Sequence, residues 1–273
     1  MKKLLMLLTA FLLIFSLAAC VYVATEPAQT YIVSVKDIPA FSGEPYVVLY
    51  DNEPGFTADD LDTDAYEFYS DLDRLNRCGY VMACVGPETT PTEERGSIGQ
   101  VKPTGWQTVK YDFVDGKYLY NRCHLIGYQL TGENANERNL ITGTRYLNIE
   151  GMLPFENMIA DYIKETGNHV LYRVTPVFEG EYLVAKGVQM EAKSVEDDGE
   201  GICFHVFAYN NQPGVIIDYA TGESVLDEAY LNSVNPGNIF SIRIQRNIIP
   251  SIAARRKPLR TATVRNIQEA ESF

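Results

Sequence analysis

Apolar positions along the chain fall into one helical repeat and several strand-like runs. Phe155, Met158, Ile159, Tyr162 and Ile163 recur at i, i+3, i+4, i+7 and i+8, the spacing that lines up side chains on one face of an α-helix. Pro154 suits a first helical turn and Gly167 can end the helix. A helix over 154–165 is therefore predicted, with those five residues as its core stripe and Glu156 outside it. Runs rich in β-branched and aromatic residues predict strands at Tyr46–Tyr50, Val170–Phe178, Leu183–Ala192, Ile202–Tyr209 and Val215–Tyr219. Asn210–Gly214 reads as the turn between the last two. The acidic stretch Glu53–Asp71 crowds Asp59, Asp60, Asp62 and Asp64 together. It lacks the glycine and terminal glutamate of a calcium loop and reads as a solvated loop leading into a helix start. Strands with one clear helix predict a mixed α/β domain.

The two ends of the chain depart from this pattern. Lys2 and Lys3 precede an apolar stretch from Leu4 to Leu17, then Ala18, Ala19 and Cys20. That is the layout of an export signal over 1–20, and the stretch is short for a membrane span. Leu17-Ala18-Ala19-Cys20 has the form of a bacterial lipobox, which would make Cys20 a lipidated N-terminus anchored to a membrane. The alternative is an ordinary secretory signal with a chance cysteine. Both readings place the mature protein outside the cytoplasm, at the cell surface or secreted. Residues 21–44 read as a tether and approach to the fold, 45–235 as one domain, and 236–273 as a basic extension. From Pro236 to Gln268 there is no Asp or Glu, while Arg243, Arg246, Arg255, Arg256, Lys257, Arg260 and Arg265 supply seven positive charges. Such a segment either contacts a polyanion, anionic lipid or cell wall, or is an extension with a compositional bias.

Cys78, Cys84, Cys123 and Cys203 remain after the signal. Export permits disulfides, and four cysteines allow three pairings. No Cys-x-x-Cys occurs, so the spacing does not suit zinc. A Cys78–Cys84 bond closing a small loop is slightly favoured over two buried thiols. The formal charge of −13 excludes the simplest kind of nucleic-acid binder, one with a basic face. A hydrolase needs only a local cationic groove and a metal. Capture of a polyanion by this chain should then be weak and dependent on salt and Mg²⁺.

The candidate chemistry lies in Tyr120-Asn121-Arg122-Cys123-His124-Leu125-Ile126-Gly127-Tyr128-Gln129-Leu130 and in Asn139-Leu140-Ile141-Thr142-Gly143-Thr144-Arg145-Tyr146-Leu147-Asn148. Histidine accepts a proton near neutral pH. Arginine clamps phosphate, and a carboxamide oxygen is a neutral, hard ligand for Mg²⁺. These are the parts of a metal-assisted phosphodiester hydrolase. His169 and His205 sit in strand-like runs without a motif and read as structural.

This string resembles the Asp-Arg-Gly-His signature of the DNA/RNA non-specific endonuclease family, the ββα-metal nucleases, and in particular its secreted streptococcal branch. The resemblance spans about Pro45 to Ser224. It includes Pro91-Thr92-Glu93-Glu94-Arg95-Gly96-Ser97-Ile98, Lys102-Pro103-Thr104-Gly105-Trp106-Gln107, Met152-Leu153-Pro154-Phe155-Glu156-Asn157 and Ile217-Asp218-Tyr219-Ala220-Thr221-Gly222. It implies an α+β fold of the ββα-metal (His-Me finger) type, with a central, largely antiparallel sheet carrying the His124 strand, the Asn139 segment and the Asn148 helix. It also implies metal-dependent, sequence-non-specific endonucleolytic cleavage of DNA and also RNA, leaving 5′-phosphate and 3′-hydroxyl ends. Contacts are expected with the nucleic-acid backbone only.

Carried over residue by residue, the resemblance makes His124 the general base and Asn148 the ligand of one Mg²⁺, for which Mn²⁺ can substitute. Glu156 would orient metal-bound waters; its alternative is an acidic residue favoured by the helix dipole. Asn148 has a helix cap as its alternative. Asn139 would brace the site. Arg122 would buttress it or meet substrate from a different side than His124. Arg95 and Arg145 are candidates either for phosphate clamping or for structural ion pairs. Two positions depart from the signature: Asn121 stands where the family has Asp, and Cys123 where it has Gly. The first loses a charge that could orient the histidine or metal waters, which bears on rate and metal affinity. A thiol next in sequence to His124 on a strand should point to the opposite face, so Cys123 is not expected to act chemically. A rival class, a surface lipoprotein binding nucleic acid or a host partner without cutting, has no need of His124, Asn139, Asn148 and Glu156 together. A third, an exported toxin paired with an immunity protein, would need a delivery domain that this sequence does not contain.

The lipobox reading predicts that the native protein partitions with membranes and carries lipid mass at Cys20, and that Cys20→Ala blocks lipidation and processing. Fully soluble wild-type protein with an unmodified N-terminus would overturn it.

Overall fold

Four of the predicted strands join two that were not foreseen, Tyr66–Tyr69 and Val81–Val85, in a six-stranded antiparallel sheet, and one face of it receives both the long helix and the hairpin that carries His124. The computed structural model describes residues 33–57, 60–61 and 63–234. The signal segment with Cys20, the tether up to residue 32, Asp59, Asp62 and the basic extension lie outside the described residues.

In chain order the strands are β1 (Tyr46–Val48), β2 (Tyr66–Tyr69), β3 (Val81–Val85), β4 (Tyr120–His124), β5 (Leu140–Thr144), β6 (Val170–Val177), β7 (Gly187–Ser194), β8 (Cys203–Tyr209), β9 (Val215–Ile217) and β10 (Ser224–Leu226). The large sheet runs β1-β8-β7-β6-β3-β2, while β4–β5 and β9–β10 are separate two-stranded pairs. The α-helices are α1 (Tyr128–Thr131), α2 (Leu153–Thr166) and α3 (Glu228–Val234).

β6 shows why the central strands read as continuous apolar runs. All eight of its residues are buried because both faces of the sheet are covered. Val170, Tyr172 and Val174 point to the side of α2, where they pack with Phe155, Ile159 and Ile163. Leu171 joins Met82 and Cys84 on the other face, beneath Phe56, Leu61 and Tyr66. Pro176 is tolerated because β3 ends at the Val81↔Val174 pair, leaving only β7 beside it. On the Leu171 face Arg173 lies directly opposite Glu191, with Nε donating to Oε2 at 2.8 Å and Nη2 to Oε1 at 3.0 Å. The same pair fastens Gly55, whose amide donates to Glu191 and whose carbonyl accepts from Arg173.

The predicted helix over 154–165 is α2, ended by Gly167 at φ +73°. Three expectations are corrected. Among the described residues no helix starts in the acidic segment: Asp60 accepts hydrogen bonds from Thr57 in a local turn, and Tyr66-Glu67-Phe68-Tyr69 makes β2, an edge strand on β3. The strand expected from Leu183 begins only at Gly187, because Leu183 and Val184 turn away to bond Thr104 and Tyr219. No disulfide joins Cys78 and Cys84. Cys78 is buried among the α2-side core, with its Sγ donating towards the carbonyls of Glu137 and Leu140, whereas Cys84 faces the opposite side of the sheet.

Breaking one partner of the buried Arg173–Glu191 pair strands a charge. Glu191→Ala should therefore destabilise the protein by about 3–5 kcal/mol in denaturant titration. A loss within the range of an exposed pair, under about 1 kcal/mol, would show that the pair is not a fastening.

Candidate functional site

The β4–β5 hairpin sets the site. The strands pair with His124 opposite Leu140 and Tyr120 opposite Thr144. Alternation sends Asn121 and Cys123 to one face, and Tyr120, Arg122 and His124 to the other. Cys123 is buried in the core, and Gly143 leaves room for it: a Cβ on Gly143 would lie 2.5 Å from Cys123 Cβ. Burial pushes the Cys123 thiol well above its usual range, so this thiol stays protonated.

His124 is 6% exposed and held at both ring nitrogens. Nε2 lies 2.8 Å from the Asn134 carbonyl, and Nδ1 lies 3.3 Å from Arg95 Nη2. A guanidinium only donates and a carbonyl only accepts. The geometry therefore selects the tautomer with Nε2–H on Asn134 and a bare lone pair on Nδ1. Burial, reinforced by the Arg95 charge, lowers the His124 pKa to about 4, so the ring is neutral at pH 7.

Behind it, Asn139 is fully buried. Its Oδ1 accepts from the Ile126 amide and its Nδ2 donates to the Ile126 carbonyl, both at 3.0 Å. It thus braces the chain leaving His124 and presents no free group to a substrate, so Asn139 is a positioning residue.

Asn148 lies in the π-helical turn Leu147–Met152 that leads into α2. Its Oδ1 accepts from Cys123 Sγ at 3.1 Å. The capping alternative does not hold, because Thr144 Oγ1 accepts from the Leu147 amide at 2.9 Å and caps that turn instead.

Glu156 departs from expectation. It stands off the apolar stripe of α2, yet it is only 7% exposed, because the Ile126–Thr131 segment covers that side of the helix. Gly127 permits this closure: a Cβ there would meet the Glu156 carboxyl at 2.8 Å. Glu156 Oε1 has no hydrogen-bond partner. Burial raises the Glu156 pKa to about 7, against the opposing pull of the Gly127 amide and the Arg95 charge.

Of the three candidate arginines, only Arg95 meets His124. Arg122 shares its strand face with His124, yet its Nε and Nη2 donate to the carbonyls of Val101 and Gly99 and its guanidinium stacks 4.2 Å from the Trp106 ring centroid. It buttresses the 99–106 loop, and the expectation of substrate contact from another side is withdrawn. Arg145 follows the other end of the hairpin, roughly 13 Å along the strand from His124, and pairs with Asp115 at 2.8 Å. The structural ion pair is therefore the role the structure gives it, in place of a phosphate clamp. His169 lies between Glu196 and Glu88, and His205 bonds Glu53 and Gln189, both outside the site.

Sequence reasoning missed Asn134, which fixes the His124 tautomer, and Gly127, which admits the Glu156 carboxyl. Gly127 could have been noted from its place just after the motif, whereas Asn134 gives no signal. Among the described residues no group of three or more His, Cys, Asp or Glu is arranged to hold a metal. The oxygens that could serve are the Asn148 carboxamide, which accepts from Cys123 Sγ, and Glu156 Oε1, buried and without a partner. That set fits a divalent ion that keeps most of its waters, since the waters supply the donors those oxygens lack.

A family model described as DNA/RNA non-specific endonuclease matches residues 58–196. Among solved structures, NucA from Streptococcus agalactiae with no metal bound is 25% identical with a TM-score of 0.61, covering 71% of this chain and 92% of that one. NucA with magnesium ion bound is 25% identical at a TM-score of 0.59, covering 68% and 91%. Sda1 nuclease with bound zinc ion is 25% identical at 0.58, covering 67% and 96%.

The site makes the metal-free protein sensitive to pH. Glu156 titrates near 7 when folded against an ordinary 4.5, so its protonated form contributes stability that is present below pH 4.5 and lost as pH rises through 7. In chelator, Glu156→Gln should melt higher than the parent above pH 7, and the gap should close towards pH 4.5. His124, lowered from 6.5 to about 4, acts in the opposite sense, with stability lost as pH falls from 6.5 to 4. A gap that does not vary with pH would refute the Glu156 assignment.

Proposed function

Because the chain belongs to the DNA/RNA non-specific endonuclease family, we propose that it is a divalent-metal-dependent, sequence-non-specific endonuclease that hydrolyses DNA, and also RNA, outside the cytoplasm. The observation that carries this reading is the bare, neutral Nδ1 of His124 set beside the Arg95 guanidinium. His124 Nδ1 takes the proton of the attacking water. Arg95 is exposed and turns from the ring to the scissile phosphate, which frees the lone pair as substrate arrives. Asn148 Oδ1 would hold Mg²⁺, or Mn²⁺ in its place, and the Glu156 carboxylate would orient its waters. The bound ion supplies stabilisation of charge on the phosphate and the departing 3′ oxygen. Asn139 and Arg122 keep the hairpin and its loop in place.

NucA has been seen with magnesium and Sda1 with zinc, which supports a divalent ion as the class of cofactor. Substrate contact in this reading rests on backbone phosphates.

A plasmid-nicking assay on residues 21–273 tests the proposal. Cleavage should require Mg²⁺ or Mn²⁺ and stop in chelator. His124→Ala should lower the rate by about 10²–10⁴-fold with an unchanged fold, while His169→Ala and His205→Ala variants that fold keep most of it. Full cleavage in chelator would eliminate the metal mechanism. Absence of cleavage with every divalent ion would point to a nucleic-acid-binding module.

A further inference from the structure

Cys123 is packed under the π-helical turn that holds Asn148. Its Sγ lies 3.1 Å from Asn148 Oδ1, 3.5 Å from Met152 Sδ and 3.7 Å from the His124 carbonyl oxygen. A thiol has a single proton to donate, and the carboxamide oxygen is the nearest of these acceptors and a better one than a thioether. Asn148 and Met152 belong to the same turn, Leu147–Met152, so the sulfur sits between two side chains of that turn. Gly143 keeps the seat open: a Cβ there would lie 2.5 Å from Cys123 Cβ and 3.4 Å from Leu147 Cδ2. Among the described residues, Cys123 is the one side-chain hydrogen-bond partner of the Asn148 carboxamide.

A buried cysteine that only fills space behaves as a small apolar residue and needs no particular acceptor. The contact with Oδ1 does something further. A carboxamide carries oxygen on one side and N–H groups on the other, and only the oxygen can hold a cation. Asparagine in a helical turn has about two open χ1 wells and a roughly two-fold χ2. Left free, it would present its oxygen in about one orientation of four, and apparent affinity falls by that competent fraction. A donor on Oδ1 selects the orientation in advance. Because S–H is a weak donor, it takes one lone pair and leaves the other, with most of its basicity, for an ion.

We propose that Cys123 is a positioning residue of the metal site: its S–H fixes Asn148 Oδ1 as the oxygen presented to a hydrated divalent cation, and stays hydrogen-bonded to that oxygen when the ion binds. The sulfur neither ligates the ion nor touches substrate. This inference rests on the metal-dependent reading above.

The test compares Mn²⁺ binding, followed by the paramagnetic signal of the free ion, in the unsubstituted protein, Cys123→Ala and Cys123→Ser. Both substitutions disturb the core and should lower the melting temperature of the metal-free protein, so stability does not separate them. Cys123→Ala, without a donor, should bind Mn²⁺ about 4- to 10-fold more weakly. Cys123→Ser keeps a donor on Oδ1 and should bind within about twofold of the unsubstituted protein. Unchanged affinity in Cys123→Ala, or equal losses in the two variants, would overturn the proposal and leave the thiol as core packing. A second measurement holds even if neither variant folds. In Raman spectra one S–H stretching band should move to higher frequency in Asn148→Ala, and in the unsubstituted protein that band should keep its place when Mg²⁺ is added. A band that does not respond to Asn148→Ala, or that disappears with Mg²⁺ because the sulfur has become a thiolate ligand, would overturn the proposal equally. If the unsubstituted protein binds no Mn²⁺, both this inference and the metal-dependent reading fail. If it binds and only the Cys123 effects are missing, this inference alone fails.

Discussion

Cys123 and His124 are adjacent in sequence and lie on opposite faces of one strand, and the site depends on that alternation. The Cys123 thiol must be buried for β4 to pack on the core beneath Leu147 and Phe155. Once it is, His124 is driven to the other face with its backbone held by β5. Gly143 completes the arrangement, since any side chain there would collide with Cys123. A one-residue slip of the hairpin would exchange the faces, turning the imidazole into the apolar core and the thiol towards Arg95 and Asn134.

Desolvation sets the protonation states on which the chemistry rests. His124 is buried enough to stay neutral and Glu156 enough to hold its proton to about pH 7. Arg95 influences both, and it is the one positive charge among the three candidate arginines left for the site. Arg122 is committed to Val101, Gly99 and Trp106, and Arg145 to Asp115. In a chain with a formal charge of −13, a bound metal ion would be a large part of any attraction to a polyanion at close range.

The orphaned buried oxygens gather around the same place. Asn121, Asn134, Glu156 and Tyr172 each carry one, and all four lie on or beside the hairpin, the loop that follows it, or the helix against which it packs. Buried polar groups without partners are uncommon in a settled core.

Local periodicity was enough to read α2 and the strands β6, β7 and β8 but not β3, because a helical stripe or a long apolar run records which face is buried whatever lies opposite. The motif string, through family resemblance, made His124, Asn148 and Glu156 the candidates. Tertiary structure decided what depends on residues distant in sequence. It brought Arg95 to His124 across 29 positions and sent Arg145 to Asp115. It placed Cys78 and Cys84 on opposite sides of a sheet and buried a glutamate that the helical pattern left outside. Periodicity encodes the orientation of a side chain relative to its own backbone. Partnership and desolvation are set by the other segments that close over it.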